Sequence, residues 1–126
     1  MIVGTGIDIV EVERIESMIE KHGTSFLSRT FTEQEICLGQ NKGLSKSTYY
    51  AGRWAAKEAT AKALGCGFSK DCNFLDIDVA NDSNGKPILS LTGPAAARAE
   101  QLGVKSLHIT ISHENAYAVA MVILEN

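Results

Sequence analysis

Long hydrophobic runs are missing from this chain of 126 residues. No stretch approaches the ~20 consecutive apolar residues that a bilayer-spanning helix needs, and no signal peptide precedes the first strand-like segment. A cytoplasmic protein without a membrane partner is therefore expected. Cysteine is scarce: Cys37, Cys66 and Cys72 are odd in number and lack metal-ligand spacing, so reduced thiols are expected rather than a disulfide framework. Charge of either sign is modest, with a small acidic excess. Twelve Lys and Arg stand against 15 Asp and Glu, and a net charge of −3 argues against broad nucleic-acid binding. An anionic partner would have to find a local basic patch. With 44% hydrophobic and 21% charged residues the chain is not a disordered one. It has no repeats, low-complexity stretches or linker, and reads as one domain over residues 1–126, long enough to bury roughly two thirds of its extended surface.

What is present is a mixed pattern. Residues 2–9 alternate like a strand, and 11–22 read as an amphipathic helix with Val12, Ile15 and Ile19 inward. A short helical turn follows near 25–29. Thr32 and Glu35 form a capping-box signature that opens a helix over 32–38. After a loop at 40–46, an alanine-rich helix runs from about 46 and ends at Gly65-Cys66-Gly67. Strands are expected at 74–80 and 87–92, joined by a turn whose Asn84-Gly85 suits a type I′ hairpin. Pro94 lies in the first turn of a helix reaching Leu102, and strands at 106–113 and 117–124 close the chain. The class is α+β, an antiparallel sheet packed on one long central helix.

That central helix carries charges in an unusual place. Tyr50 to Leu64 holds six alanines and no proline. At about 100° per residue Glu58 falls between Trp54 and Ala61 on one side and Ala51 and Ala55 on the other, with Lys62 about 40° away. The pair reads either as an i,i+4 salt bridge on a solvated face or as charges set into a packed surface, where a partner or a metal must compensate them. The opening strand supplies a candidate partner. Its Val3, Thr5, Ile7 and Ile9 share one face, and Gly4, Gly6 and Asp8 the other. Two glycines on one face indicate close approach by another backbone or a ligand. Asp8 reads as a helix cap or as a ligand. Two carboxylates from separate elements suit a hard cation such as Mg²⁺, which keeps waters and binds substrate phosphates.

Several blocks together resemble a known family. They are Gly4-Thr-Gly-Ile-Asp-Ile-Val10, Phe31-Thr-Glu-Gln-Glu35, Ala51-Gly-Arg-Trp-Ala-Ala-Lys-Glu-Ala59 with Lys62-Ala-Leu-Gly65, Asn84-Gly-Lys-Pro87, and Ile109-Thr-Ile-Ser-His-Glu-Asn115 with Tyr117-Ala118. In this order, over nearly the whole chain, they resemble the holo-[acyl-carrier-protein] synthases, small 4′-phosphopantetheinyl transferases of fatty-acid biosynthesis. The resemblance implies their fold and a homotrimer with sites between neighbouring subunits. It also implies a Mg²⁺-dependent reaction in which a serine hydroxyl of apo acyl carrier protein attacks the phosphorus that carries pantetheine in coenzyme A, and 3′,5′-ADP departs.

On that resemblance Asp8 and Glu58 hold the metal and Lys62 faces a phosphate oxygen, making the three the catalytic set. The proton of the serine goes to Glu58 or to a water. By themselves Arg53 and Lys57 read as solvated helix residues, Lys42 and Lys46 as exposed loop lysines, and His113 as a structural histidine at a strand end. The resemblance assigns Arg53 to the 3′-phosphate of coenzyme A, His113 to a phosphate contact on its nucleotide side, and Gly85, Lys86 and Pro87 to the adenine pocket. It places the acidic carrier protein against Arg14, Met18 and Lys21 of the first helix, although Glu11, Glu13, Glu16 and Glu20 crowd the same segment. Two other functions fit the residues alone: a nucleotide pyrophosphohydrolase using the same carboxylates without an acceptor protein, and a noncatalytic trimeric binding module.

Overall fold

A computed structural model describes residues 1–68 and 72–126. Strand β1 (Ile2–Glu11) leads into α1 (Val12–Thr30), followed by α2 (Glu33–Gln40) and the long α3 (Lys46–Leu64). The chain continues through β2 (Ile77–Asn81), β3 (Pro87–Leu91), α4 (Gly93–Gln101), β4 (Ser106–His113) and β5 (Tyr117–Glu125). The expected class is the observed one, with the sheet divided in two. An antiparallel three-stranded sheet has the order β1-β5-β4, and β2 and β3 form a separate antiparallel pair.

The three-stranded sheet lies on α3 because both surfaces are stripped of bulk. Gly4, Gly6, Asp8 and Val10 on β1 share the inner face with Ala118, Ala120, Val122 and Leu124 on β5. A methyl group built on Gly6 would stand 1.9 Å from the Ala59 carbonyl oxygen, and one on Gly4 would stand 2.1 Å from that of Ala63. Strand and helix backbones touch there, as the two bare positions in the sequence predict. The other face of this sheet is uncovered. Ile7, Ile9, Tyr117 and Met121 are all exposed on it, Ile9 by 65%.

Local signals place most boundaries. The Thr32–Glu35 capping box forms in both directions, and Gly65 ends α3 in the left-handed conformation at φ 71°. The two expected pieces of the first helix are one element interrupted at Gly23, whose φ of 51° and ψ of −128° break the helical path.

Three expectations need correction. Phe74–Asp76 is a 3₁₀ turn and the strand starts only at Ile77, because Asn73 and Asp76 cap that turn reciprocally. The β2–β3 connection is not type I′, which needs positive φ at two residues. Gly85 alone has it, at 82°, while the Asp82 carboxylate accepts from the Asn84 and Lys86 N–H groups. Finally, Asp8 does not cap α1. The strand runs through it to Glu11, which occupies the cap position and makes no side-chain cap bond.

Candidate active site

Asp8 is the next inward position of β1 after the two glycines, so the seam that brings strand and helix backbones together also brings Asp8 to α3. Lys62 Nζ donates to the Ile7 carbonyl oxygen at 3.0 Å and to Asp8 Oδ1 at 3.1 Å. The lysine side chain is 54% exposed and the aspartate 15%, so Lys62 lies closer to solvent than its alanine neighbours predict. Glu58, one turn back on α3, is half-buried. Burial first, and the Asp8 carboxylate second, hold Glu58 above the usual carboxylate range, while Lys62 and Arg14 pull it back. Asp8, Glu58 and Lys62 thus form one cluster, with Arg14 of α1 at its border. Arg14 lies over the Trp54 ring, 5.8 Å from its centroid.

The structure reverses the expectation for Arg53 and Lys57, which are not solvated. Lys57 is fully buried and pairs with buried Glu35, Nζ to Oε1, at 2.8 Å. It also donates to the carbonyl oxygens of Phe74 and Ile77. Glu35 in turn accepts from the Thr32 and Val79 N–H groups, each at 2.8 Å. Burial lowers the Lys57 pKa from the ordinary lysine range, and Glu35 opposes that shift. Every polar atom of this pair has a partner within the protein, so Lys57 ties α2, α3 and β2 together and is unavailable to a ligand.

Arg53 is 93% buried and two of its nitrogens, Nε and Nη2, have no hydrogen-bond partner among the described residues. It lines a cavity of about 230 Å³ together with Lys42, Tyr49, Gly85 and His113. His113 reaches it from the inner face of β4, opposite Ala118. Of the five residues expected at the nucleotide, Arg53, Gly85 and His113 therefore meet in one place. Lys86 and Pro87 line a neighbouring cavity of about 330 Å³ with Asp82 and His108. Lys42 had looked like an unremarkable loop lysine, and nothing in the sequence pointed to Tyr49. Their signal was only that they precede the Arg53 motif by less than a dozen residues.

The two groups of residues stand apart. Arg53 and Glu58 are five positions apart on α3, about 140° around its axis. The Asp8 cluster lies along β1, one edge of the three-stranded sheet, and His113 belongs to β4, the other edge. Arg14 and Lys21 are exposed on α1, whereas Met18 packs partly against the core.

Two carboxylates and a lysine thus lie on one flank of α3, and a cavity lined by arginine, lysine and histidine on the other. The chain belongs to the 4′-phosphopantetheinyl transferase superfamily, whose family model matches residues 4–122. Its relatives include the holo-[acyl-carrier-protein] synthase of Solibacter usitatus, 48% identical over the full length of both chains. Another, from Photobacterium profundum, is 44% identical over 99% of this chain and 98% of that one. Among solved structures, the holo-[acyl-carrier-protein] synthase of Neisseria meningitidis superposes with a TM-score of 0.91 at 33% identity, covering all of both chains. The Bacillus anthracis enzyme, in complex with CoA (3′,5′-ADP), gives 0.83 at 44% identity, covering 98% of this chain and 96% of that one.

Proposed function

We propose that this transferase moves the 4′-phosphopantetheine arm of coenzyme A to a serine of an apo acyl carrier protein, with Mg²⁺ at Asp8 and Glu58 and with release of 3′,5′-ADP. Family membership and the coenzyme A complexes of relatives support the transfer itself. The observation that carries the finer reading is the Asp8–Glu58–Lys62 cluster at the β1–α3 seam.

The residues fit the metal. Asp8 and Glu58 would be the protein's share of the ligands, since the Asp8 carboxylate is near enough to Glu58 to help raise its pKa. That donor set suits a hard cation completed by water and substrate oxygens. The mutual pressure of Asp8 on Glu58 is what a cation would relieve. When bound, Mg²⁺ would neutralise charge on the pyrophosphate oxygens.

The remaining chemistry falls to the chain. The serine oxygen forms a bond to the phosphorus bearing pantetheine, the anhydride bond to the other phosphate breaks, and the electron pair leaves with 3′,5′-ADP. The serine proton goes to Glu58 or to a water. Lys62, whose ammonium already rests on Asp8 and the Ile7 carbonyl oxygen, faces the phosphoryl oxygens where charge grows. Arg53, Lys42 and His113 hold the nucleotide end, with Gly85, Lys86 and Pro87 beside the adenine. Arg14, Met18 and Lys21 receive the acidic carrier protein. Because Arg14 borders Glu58, a carrier docked on α1 delivers its serine to the cluster. Arg14→Glu is expected to raise KM for the carrier protein while coenzyme A affinity stays as it was; an unchanged KM would move the docking face elsewhere.

A homotrimer completes the site. One chain holds the catalytic cluster and the nucleotide cavity on opposite flanks of α3. Head-to-tail packing, with the β1 edge of one copy beside the β4 edge of the next, would join them and close a ring. The uncovered outer sheet face supports this arrangement, since single chains seldom expose so continuous an apolar surface. The free thiols of Cys37, Cys66 and Cys72 suit a reducing, cytoplasmic setting.

The test is incubation with coenzyme A, Mg²⁺ and an apo carrier protein, read by mass spectrometry. Gain of one phosphopantetheine arm is expected. Phosphate release without an acceptor would instead support a pyrophosphohydrolase, and no reaction with several carrier proteins a binding module.

A further inference from the structure

The buried ion pair of Lys57 and Glu35 is bonded in a pattern that does more than hold the core together. Two charges taken out of water gain little net stability over apolar side chains of the same size, so the use of the pair lies in what it fixes. Lys57 Nζ spends its three protons on Glu35 Oε1 and on the carbonyl oxygens of Phe74 and Ile77. Glu35 Oε2 accepts from the Val79 N–H at 2.8 Å.

Ile77 and Val79 are two residues apart, so the bonded carbonyl and N–H point to the same edge of β2. That edge is the one away from β3, because the Asp76 carbonyl oxygen accepts from the Thr92 N–H just beyond β3 at 2.8 Å. β2 and β3 form a sheet of their own, and among the described residues no strand covers the outer edge of β2. A neighbouring strand would offer it a donor and an acceptor in alternation. The ion pair supplies both, the ammonium to one carbonyl and the carboxylate to the next N–H on that edge. A slide of β2 along α3 would break both bonds at once, so the pair fixes where the strand lies on the helix.

What moves with β2 is a wall of the 230 Å³ cavity. Asn81, the last residue of β2, lines it with Gly85 of the following turn and with Arg53 of α3. Arg53 lies one turn before Lys57, about 40° round the helix. Lys57 therefore joins the helix that carries Arg53 to the strand that carries the opposing wall.

We propose that Lys57 and Glu35 are positioning residues for the donor substrate, fixing the β2–β3 turn at the distance from Arg53 that the nucleotide end of coenzyme A requires. This rests on reading that cavity as the seat of the nucleotide end. The pair is enclosed by protein and acts only through the cavity walls. Its loss is felt in donor affinity and not in the transfer step at Asp8 and Glu58.

The test uses the double variant Lys57→Met with Glu35→Gln, which removes both charges together and leaves no lone buried ion. Calorimetry reads its affinity for 3′,5′-ADP, and kinetics below the melting transition give kcat and KM for each substrate. Kd for 3′,5′-ADP and KM for coenzyme A are expected to rise about tenfold, as for a small misplacement of binding groups. The kcat at saturating coenzyme A and the KM for the carrier protein should stay within about twofold. A pair that only stabilises the fold would lower the melting temperature and leave both nucleotide affinities as they were. That result overturns the proposal while the transferase reading stands. A wild type that transfers nothing, yet binds 3′,5′-ADP about tenfold tighter than the variant, would remove the transferase reading and keep the positioning role. A wild type that does not bind 3′,5′-ADP would overturn both. If the variant does not fold, amide exchange in the wild type decides. Coupling between sites is reciprocal, so 3′,5′-ADP should slow exchange at Val79 more than at Ala120 of the other sheet, and equal slowing overturns the proposal.

Discussion

Lys62 owes its position to two oxygens of the opening strand, and that explains why a half-exposed lysine can hold one geometry. Exposed ion pairs contribute little to stability, about 0–1 kcal/mol, so replacing Lys62 should leave folding nearly intact while removing the charge proposed to face the phosphate. Lys62→Ala is expected to lower kcat about 10²–10³-fold, the usual loss for one preorganised stabilising group, with a melting temperature near that of the wild type. Full activity in that variant would remove Lys62 from the catalytic set. At this scale the sequence was partly readable. Asp8, Glu58 and Lys62 were visible as charges among small residues, and the structure brings them together. Lys57 and Arg53 were not legible as buried residues, because the partner that justifies burying Lys57 lies 22 positions away at Glu35, and Arg53 packs on the ring of Tyr49 rather than against a carboxylate.

At the scale of elements, the β1–α3 seam decides where the site forms. Gly6 and Gly4 let the strand press on helix carbonyls, and any side chain there lifts the strand and Asp8 with it. Gly6→Ala is expected to destabilise by about 3 kcal/mol, at the upper end of overpacking costs, and to lose transfer activity more than the unfolded fraction accounts for. Denaturant titration beside kinetics checks this, and an unaffected midpoint would mean the seam has slack. Alternation in β1, the shallow face of β5, the Thr32 cap and the Gly65 stop were readable because each is written within a few residues. The 3₁₀ turn at Phe74–Asp76 and the turn chemistry of Asp82 were misread for a different reason. Side-chain oxygens of Asn73, Asp76 and Asp82 satisfy backbone N–H groups there, and such competition with regular structure leaves apolar periodicity unchanged.

For the whole molecule, the uncovered face of the three-stranded sheet is the decisive feature. Ile7, Ile9 and Met121 form an apolar surface that a second copy would bury, and the two parts of the site lie on different flanks of one chain. A charge placed there should separate the copies without touching the α3 packing. Ile9→Glu is expected to leave monomers in light scattering where the proposed trimer requires three copies, and to abolish transfer, while circular dichroism stays native. A monomeric but fully active variant would show that one chain carries a complete site. The sequence indicated this face only as the unexplained half of an alternating strand, since alternation gives no sign of what covers the second side.

The proposed reaction centres on one divalent cation shared by Asp8 and Glu58 beneath the phosphates of coenzyme A. Crystals grown with coenzyme A and Mn²⁺ test this directly through the anomalous signal of the metal. One peak is predicted per site, within bonding distance of both carboxylates and of a pyrophosphate oxygen. Well-ordered coenzyme A with no peak between those two side chains would contradict it.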